Sequence, residues 1–267
     1  MVVAMFTLAI LILPRSGQEL GELFRHQPGL FWRLFLVNGL PAGLGTSLSI
    51  LGIALTDAIN AGFLVKLATA STILFAWIIL KEKLSGLKIV VMVMMLLGAY
   101  LLTTKGQNLM PRAGDFFILG ACICWSLGDV LVRRIMKMQA INADVVTIQK
   151  PLASFPVFLV LIGVSVFYSE IFGDLSVVLK CCTFPSKYML YAIGSGFCLA
   201  VCWVYLYRTL HVATASYLTL MSMATPVLVS LLAVIFLNEK MVLIQFVGAG
   251  LILLSGIATY LSDIAYK

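Results

Sequence analysis

Most of this chain is taken up by apolar runs about the length of a membrane crossing. They fall at 31–55, 59–80, 84–103, 116–136, 145–168, 188–210, 213–237 and 241–261, with a shorter run at 1–13. A helix needs about 20 apolar residues to span hydrocarbon. In lipid, only helices and closed barrels satisfy every backbone group internally. Barrel strands alternate apolar and polar residues, and these runs are continuous. The fold class is therefore an all-α, polytopic membrane helix bundle. With 62% hydrophobic and 11% charged residues, the 267-residue chain cannot be a soluble enzyme, a disordered protein or a disulfide-built domain. The run at 1–13 rises only about 20 Å, so it does not make a complete span. It is not a signal peptide either: it lacks a positive start, and Pro14-Arg15 stands where a small-residue cleavage site would be.

The formal net charge of +7 reads as topology rather than as a nucleic-acid surface, because no basic stripe interleaved with aromatics occurs outside the apolar runs. Twelve Lys and Arg residues fall in loops on one side, among them Arg15, Arg25, Arg33, Lys81, Lys83 and Lys137; five fall on the other; Lys66 lies within a run. The richer side is assigned to the cytoplasm. This predicts a multi-pass protein of the cell membrane with a cytoplasmic C-terminus. The cysteines have no metal-ligand spacing: Cys198 and Cys202 have no histidine nearby, and Cys181-Cys182 is an adjacent loop pair. The membrane cysteines read as small buried hydrophobes.

A gap-free offset of 157 residues relates two parts of the chain. It carries Ala58 to Ala215, Leu80 to Leu237, Glu82-Lys83 to Glu239-Lys240 and Leu96-Leu97 to Leu253-Leu254. Apolar matches are common in membrane proteins, so the recurring Glu-Lys pair at a helix junction carries most weight. The repeats are expected at 1–106 and 115–262. By the charge count Glu82 falls inside and Glu239 outside, which inverts one repeat relative to the other. Inverted repeats are a frequent plan of secondary transporters. Residues 115–157, 43 in number, have no counterpart in the first repeat. The plan is then five helices plus five, with about nine spans present and the first helix missing. An N-terminal truncation, a start at an internal Met and a four-plus-five variant all produce this pattern.

The motifs resemble the drug/metabolite transporter superfamily, in particular the EamA-type transporters. The similarity lies in Ala224-Thr225-Pro226-Val227, Leu237-Asn238-Glu239-Lys240 and Gln245-Phe246-Val247-Gly248. It recurs more loosely at Leu80-Lys81-Glu82-Lys83-Leu84 and in Gly120-Ala121 through Trp125 to Arg133-Arg134. It covers nearly the whole chain and departs at Thr69, where the family has proline, and in the missing first helix. The resemblance implies a ten-helix inverted-repeat carrier, with export as the direction. It names no substrate, since the family moves amino acids, other metabolites and drugs.

A charge inside a span is costly and usually faces a cavity or a partner. Lys66 reads as a site for a substrate carboxylate or counter-ion; snorkelling to the outer interface is the alternative. Asp129, after Trp125, is either a proton or cation site or the partner of Arg133 one turn on. Asp57 reads as a helix cap beside Asn60. Gln149-Lys150-Pro151 interrupts a span, where polar groups line a pathway or Lys150 anchors at the interface. Asn38 through Gly45 and Pro226 weaken their helices. Trp203, Tyr205, Tyr207, Arg208 and Tyr217 gather as an aromatic pocket or as an interfacial belt. Glu82, Lys83, Glu239 and Lys240 suggest a structural or gating role at the surface.

The substrate-binding or coupling candidates are thus Lys66, Asn60, Trp125, Asp129, Gln149, Lys150, Trp203, Tyr205 and Tyr217. No nucleophile elbow, phosphate loop, HExxH or paired CxxC motif is present. The expectation is a non-enzyme with no catalytic residue, metal or cofactor. It would move small metabolites by alternating access, with export favoured. A non-transporting membrane scaffold or subunit is the alternative. Expected partners are the lipid bilayer, a small-molecule substrate and a second copy in a homodimer, without nucleic acid.

Overall fold

The computed structural model describes residues 2–83, 85–107, 110–139, 141–172, 189–237 and 240–265. The regular elements among them are all helical. They are α1 (Val2–Leu11), α2 (Leu13–His26), α3 (Pro28–Leu55), α4 (Ala58–Leu64), a 3-10 turn (Val65–Leu67), α5 (Ala68–Leu80) and α6 (Gly86–Thr104). There follow α7 (Ala113–Gln139), α8 (Ala143–Phe172), α9 (Met189–Val212), α10 (Ala215–Ser222), α11 (Thr225–Leu237) and α12 (Leu243–Ala265). Among the described residues, eight helical segments are long and apolar enough to cross a membrane. A ninth appears only if α1 and α2 are joined, and they are bent by 100°.

The 157-residue offset recurs in the helix limits. α4 and α10 begin at 58 and 215, α5 and α11 at 68 and 225, and α6 and α12 at 86 and 243. α5 and α11 end at 80 and 237, and α3 and α9 at 55 and 212. The interruption of the span recurs as well: the 3-10 turn at Val65–Leu67 corresponds to the turn at Met223 and Ala224.

Two compact units form, each from two separate stretches of the chain. The first comprises Met1–Ser47 and Leu131–Val212; the second comprises Leu48–Val130 and Ala213–Lys267. In the first unit, Ala4, Leu8, Ile12, Ile148, Ala200 and Val204 form an apolar core joining α1, α8 and α9. α3 meets α8 closely at Gly39, where a Cβ would lie 2.6 Å from the carbonyl oxygen of Ala153. Small residues of this kind let membrane helices approach through their backbones.

In the second unit, α6 and α12 make the main packing. A Cβ on Gly98 would lie 2.6 Å from the Gly248 carbonyl oxygen, and one on Gly248 would lie 2.6 Å from the Gly98 carbonyl oxygen. Met95 meets Gly256, Gly98 meets Ile252, and Gln245 Nε2 donates to the Leu102 carbonyl oxygen at 3.0 Å. Partners on α12 descend as those on α6 rise, so these two offset-related helices run antiparallel. Around them Ile73, Val91, Ala99, Leu220, Met223 and Val227 complete the core.

Three sequence expectations need correction. Residues 14–26 are helical rather than loop. Leu13, Gly17, Leu20 and Phe24 recur every three or four residues, and Pro14 suits a first turn. Asp57 occupies the N-cap position of α4 without a capping hydrogen bond; its carboxylate pairs with Arg112 at 2.7 Å. Of the membrane cysteines only Cys122 is buried, while Cys198 and Cys202 are exposed. Glu239, Asn238, Cys181, Cys182, Lys180, Lys187 and Lys267, on which expectations above also rest, lie outside the described residues.

Candidate functional site

Polar residues gather within the apolar helices of each unit. In the first unit the gathering begins with Pro151. Proline cannot donate to the carbonyl four residues earlier, so α8 is weakened where Gln149 and Lys150 occur. Gln149 is buried; its Nε2 donates to the Phe31 carbonyl oxygen at 3.1 Å, and its Oε1 has no hydrogen-bond partner among the described residues. The half-buried Lys150 carries its Nζ 5.0 Å from the centre of the Tyr207 ring and 5.8 Å from that of Trp203. A cation at this range is attracted by the ring faces. Trp203 and Tyr207 are four apart on α9, so one helical face supplies both.

The same cluster reaches α3. The Tyr207 hydroxyl donates to Asn38 Oδ1 at 3.0 Å, and Asn38 Nδ2 donates to the Val146 carbonyl oxygen at 3.0 Å. Both side chains are buried. Such bonds stabilise modestly when made and cost more when one partner is left unsatisfied. The close contact at Gly39 is adjacent to Asn38 in sequence, so the small residue that brings α3 to α8 also brings its amide. Tyr205 is 66% exposed and does not join Trp203 and Tyr207. Arg208 is exposed and holds Asp144 through two bonds of 2.8 and 2.9 Å.

In the second unit, Lys66 sits on the 3-10 turn that interrupts the span between α4 and α5. A change of helix type at membrane depth frees carbonyl oxygens, which need other donors. Helix α7 supplies them. The Cys122 thiol approaches the carbonyl oxygens of Leu64 and Val65 at 3.5 and 3.8 Å. The Ser126 hydroxyl donates to that of Ala68 at 2.9 Å and accepts from Thr72 Oγ1 at 2.9 Å. Cys122 and Ser126 are four apart, on one face. Lys66 is half-buried, as are Trp125 and Asp129.

Other candidates have structural surroundings. Asn60 Nδ2 donates to the Met110 carbonyl oxygen at 2.8 Å and to Asp115 Oδ2 at 3.3 Å, tying α4 to the start of α7. Lys81 ends α5 in the left-handed region (φ 54°), and this turn carries Glu82 to the start of α10. Glu82 accepts from the backbone N–H groups of Ala215 and Ser216 at 3.0 and 3.3 Å and from the Ser216 hydroxyl at 2.7 Å. A carboxylate at a helix N-terminus satisfies unpaired donors and complements the helix dipole. Lys83 and Lys240 are exposed, and Pro226 and Tyr217 are half-buried.

The model of the EamA-like transporter family matches residues 1–104 and 112–261. The chain belongs to that family. This makes it a multi-pass membrane transporter of the drug/metabolite type. Among the solved structures that match, one crystal structure superposes with a TM-score of 0.73 at 17% identity, covering 99% of this chain and 88% of the other. At that identity the likeness shows the fold alone. No curated protein matches the chain.

Of the candidates read from the sequence of this EamA-like chain, Lys150 and Trp203 meet, with Tyr207 of the aromatic group beside them, while Gln149 turns to the Phe31 carbonyl oxygen. Sequence reasoning treats Asn38 only as part of a helix-weakening stretch, although an asparagine between glycine-containing turns of a span is itself a signal. It passes over Ser126 and takes Cys122 as packing. Their spacing of four along α7 marks them as donors only once the broken span opposite is seen.

Proposed function

We propose that this EamA-family protein is a secondary transporter that exports small polar or amphipathic metabolites. It works by alternating access between two inverted repeats, expected at 1–106 and 115–262, in the cell membrane with its C-terminus in the cytoplasm. The offset-related helix limits and the antiparallel packing of α6 on α12 support the repeat reading. The observation that carries the functional reading is the Lys150 ammonium over Trp203 and Tyr207; the neighbouring residue in sequence, Gln149, is buried with an Oε1 that has no partner among the described residues. A cation, two aromatic faces and an acceptor fit a solute with an anionic group, a donor and an apolar body. Lys66 and Asp129 are the further charged groups proposed for substrate or proton coupling.

Purified protein in proteoliposomes tests this reading. Vesicles loaded with amino acids, organic acids, nucleosides or organic cations should accumulate the matching labelled solute by counterflow. For the solute that responds, Lys150→Met should slow exchange at least tenfold while the variant still elutes as a folded species. Absence of exchange for every solute, with folded protein in the vesicles, overturns the reading.

A further inference from the structure

We infer that α2 and the aromatic turn into α3 form an in-plane anchor that binds anionic phospholipid headgroups. The inference rests on the chain being a membrane protein and is independent of the transport proposal. Helix α2 leaves the apolar α1 at 100°, so it does not continue that helix's path. Its apolar side is divided. Leu20 packs against the core of the first unit, while Leu13 and Phe24 remain 44% and 50% exposed. A helix with one charged face and one apolar face, joined to apolar spans, lies in the interface with the apolar side down.

The aromatic residues fix the level. Phe24 meets Phe31 edge-on at 5.1 Å between ring centres. Phe31 contacts Trp32 at 5.5 Å, and Trp32 contacts Phe35 at 5.4 Å. Trp32 is exposed and shares a face of α3 with Leu36 and Leu40, also exposed, one and two turns into the span. Trp32 therefore stands at the top of a lipid-facing stripe, where aromatic side chains prefer the headgroup boundary.

Charge selects the lipid. Arg25 follows Phe24 and Arg33 follows Trp32, and both are exposed. Neither forms an ion pair or side-chain hydrogen bond with another described residue. Of the two carboxylates on α2, Glu19 accepts from Asn142 at 3.0 Å, and Glu22 is exposed without an ion pair to another described residue. Two guanidinium groups flanking interfacial aromatics present donors at the height of a phosphate, and Arg binds phosphate in bidentate fashion. Each basic residue near an anionic leaflet is worth about fivefold in lipid preference.

The whole protein, exchanged into equal amounts of phosphatidylglycerol and phosphatidylcholine and then stripped of loosely held lipid, is measured by native mass spectrometry. The wild type should retain phosphatidylglycerol. The double variant Arg25→Ala/Arg33→Ala should lose that retention by about fivefold or more. Lys137→Ala, an exposed cation that the charge count assigns to the same side but that no aromatic residue flanks in sequence, should cost clearly less than the double variant. A nitroxide at Phe24→Cys, in a background lacking native cysteines, should report a depth below the lipid phosphates. Retention that ignores both arginines, an equal loss in Lys137→Ala, or a nitroxide in the aqueous phase overturns the proposal.

Discussion

Replacing Gly98 by alanine tests the packing of α6 on α12. The new Cβ would sit 2.6 Å from the Gly248 carbonyl oxygen, 2.8 Å from Ile252 Cγ1 and 3.2 Å from the Ile252 backbone nitrogen. Two of these three atoms are backbone, so no side-chain rotation relieves the clash. Reaching an ordinary contact of 3.4 Å requires the helices to part by about 0.8 Å. A gap of that size forfeits a quarter to a half of the dispersion energy of the facing atoms. Overpacking of this kind costs about 1–3 kcal/mol, against a gain of about 1 kcal/mol in helix propensity for Gly→Ala. The control is Gly250→Ala on α12, where an added Cβ meets nothing within 4 Å. It carries the propensity gain without the clash. Unfolding in mixed micelles, followed by tryptophan fluorescence, should rank Gly250→Ala at or above wild type and Gly98→Ala below it. The predicted gap between the two is about 1–3 kcal/mol. Equal stability of the two variants would refute the close antiparallel contact.

Other perturbations follow from single contacts. Glu82→Gln keeps the shape but turns one of the acceptor oxygens facing α10 into a donor; it should cost about 1–2 kcal/mol in the same assay, while Lys83→Gln stays within about 0.5 kcal/mol of wild type. Asn38→Leu removes the acceptor of the Tyr207 hydroxyl and the donor to Val146, at about 1–3 kcal/mol; adding Tyr207→Phe should recover part of that loss in a double-mutant cycle. Asp144→Asn breaks a pair in which Arg208 is half exposed, so its cost should stay below about 1 kcal/mol and shrink further at high salt.

The spans were legible because lipid leaves a chain few options, and because apolar runs give way to charges between helices, as at Glu82-Lys83, a pair that recurs at the 157-residue offset. The limits of α4, α5 and α6 reappear 157 residues on for that reason. Helix α2 was harder to see: its periodic apolar positions are diluted by charges and two glycines, and a scan for continuous apolar residues passes over it. Asp57 illustrates a different limit. Its local sequence favours a cap, yet Arg112, distant in sequence, captures the carboxylate. In the first unit, Lys150, Trp203 and Tyr207 could be picked out as residues out of place in a span. The link through Asn38 depends on the approach of α3 to α8 at Gly39, which spacing along one helix does not encode. The same holds for Cys122 and Ser126, whose role is set by a carbonyl-freeing turn in another helix.

In the proposed carrier the two repeats cross the membrane in opposite senses. Lys83 and Lys240 are offset-related, follow the recurring glutamates, and are both exposed. In a chain whose six native cysteines are replaced, Lys83→Cys and Lys240→Cys can each be probed with a membrane-impermeant maleimide in intact cells and in inverted vesicles. The inverted plan predicts labelling of Lys240→Cys only from outside the cell and of Lys83→Cys only from the cytoplasmic side. Labelling of both from the same side would contradict it.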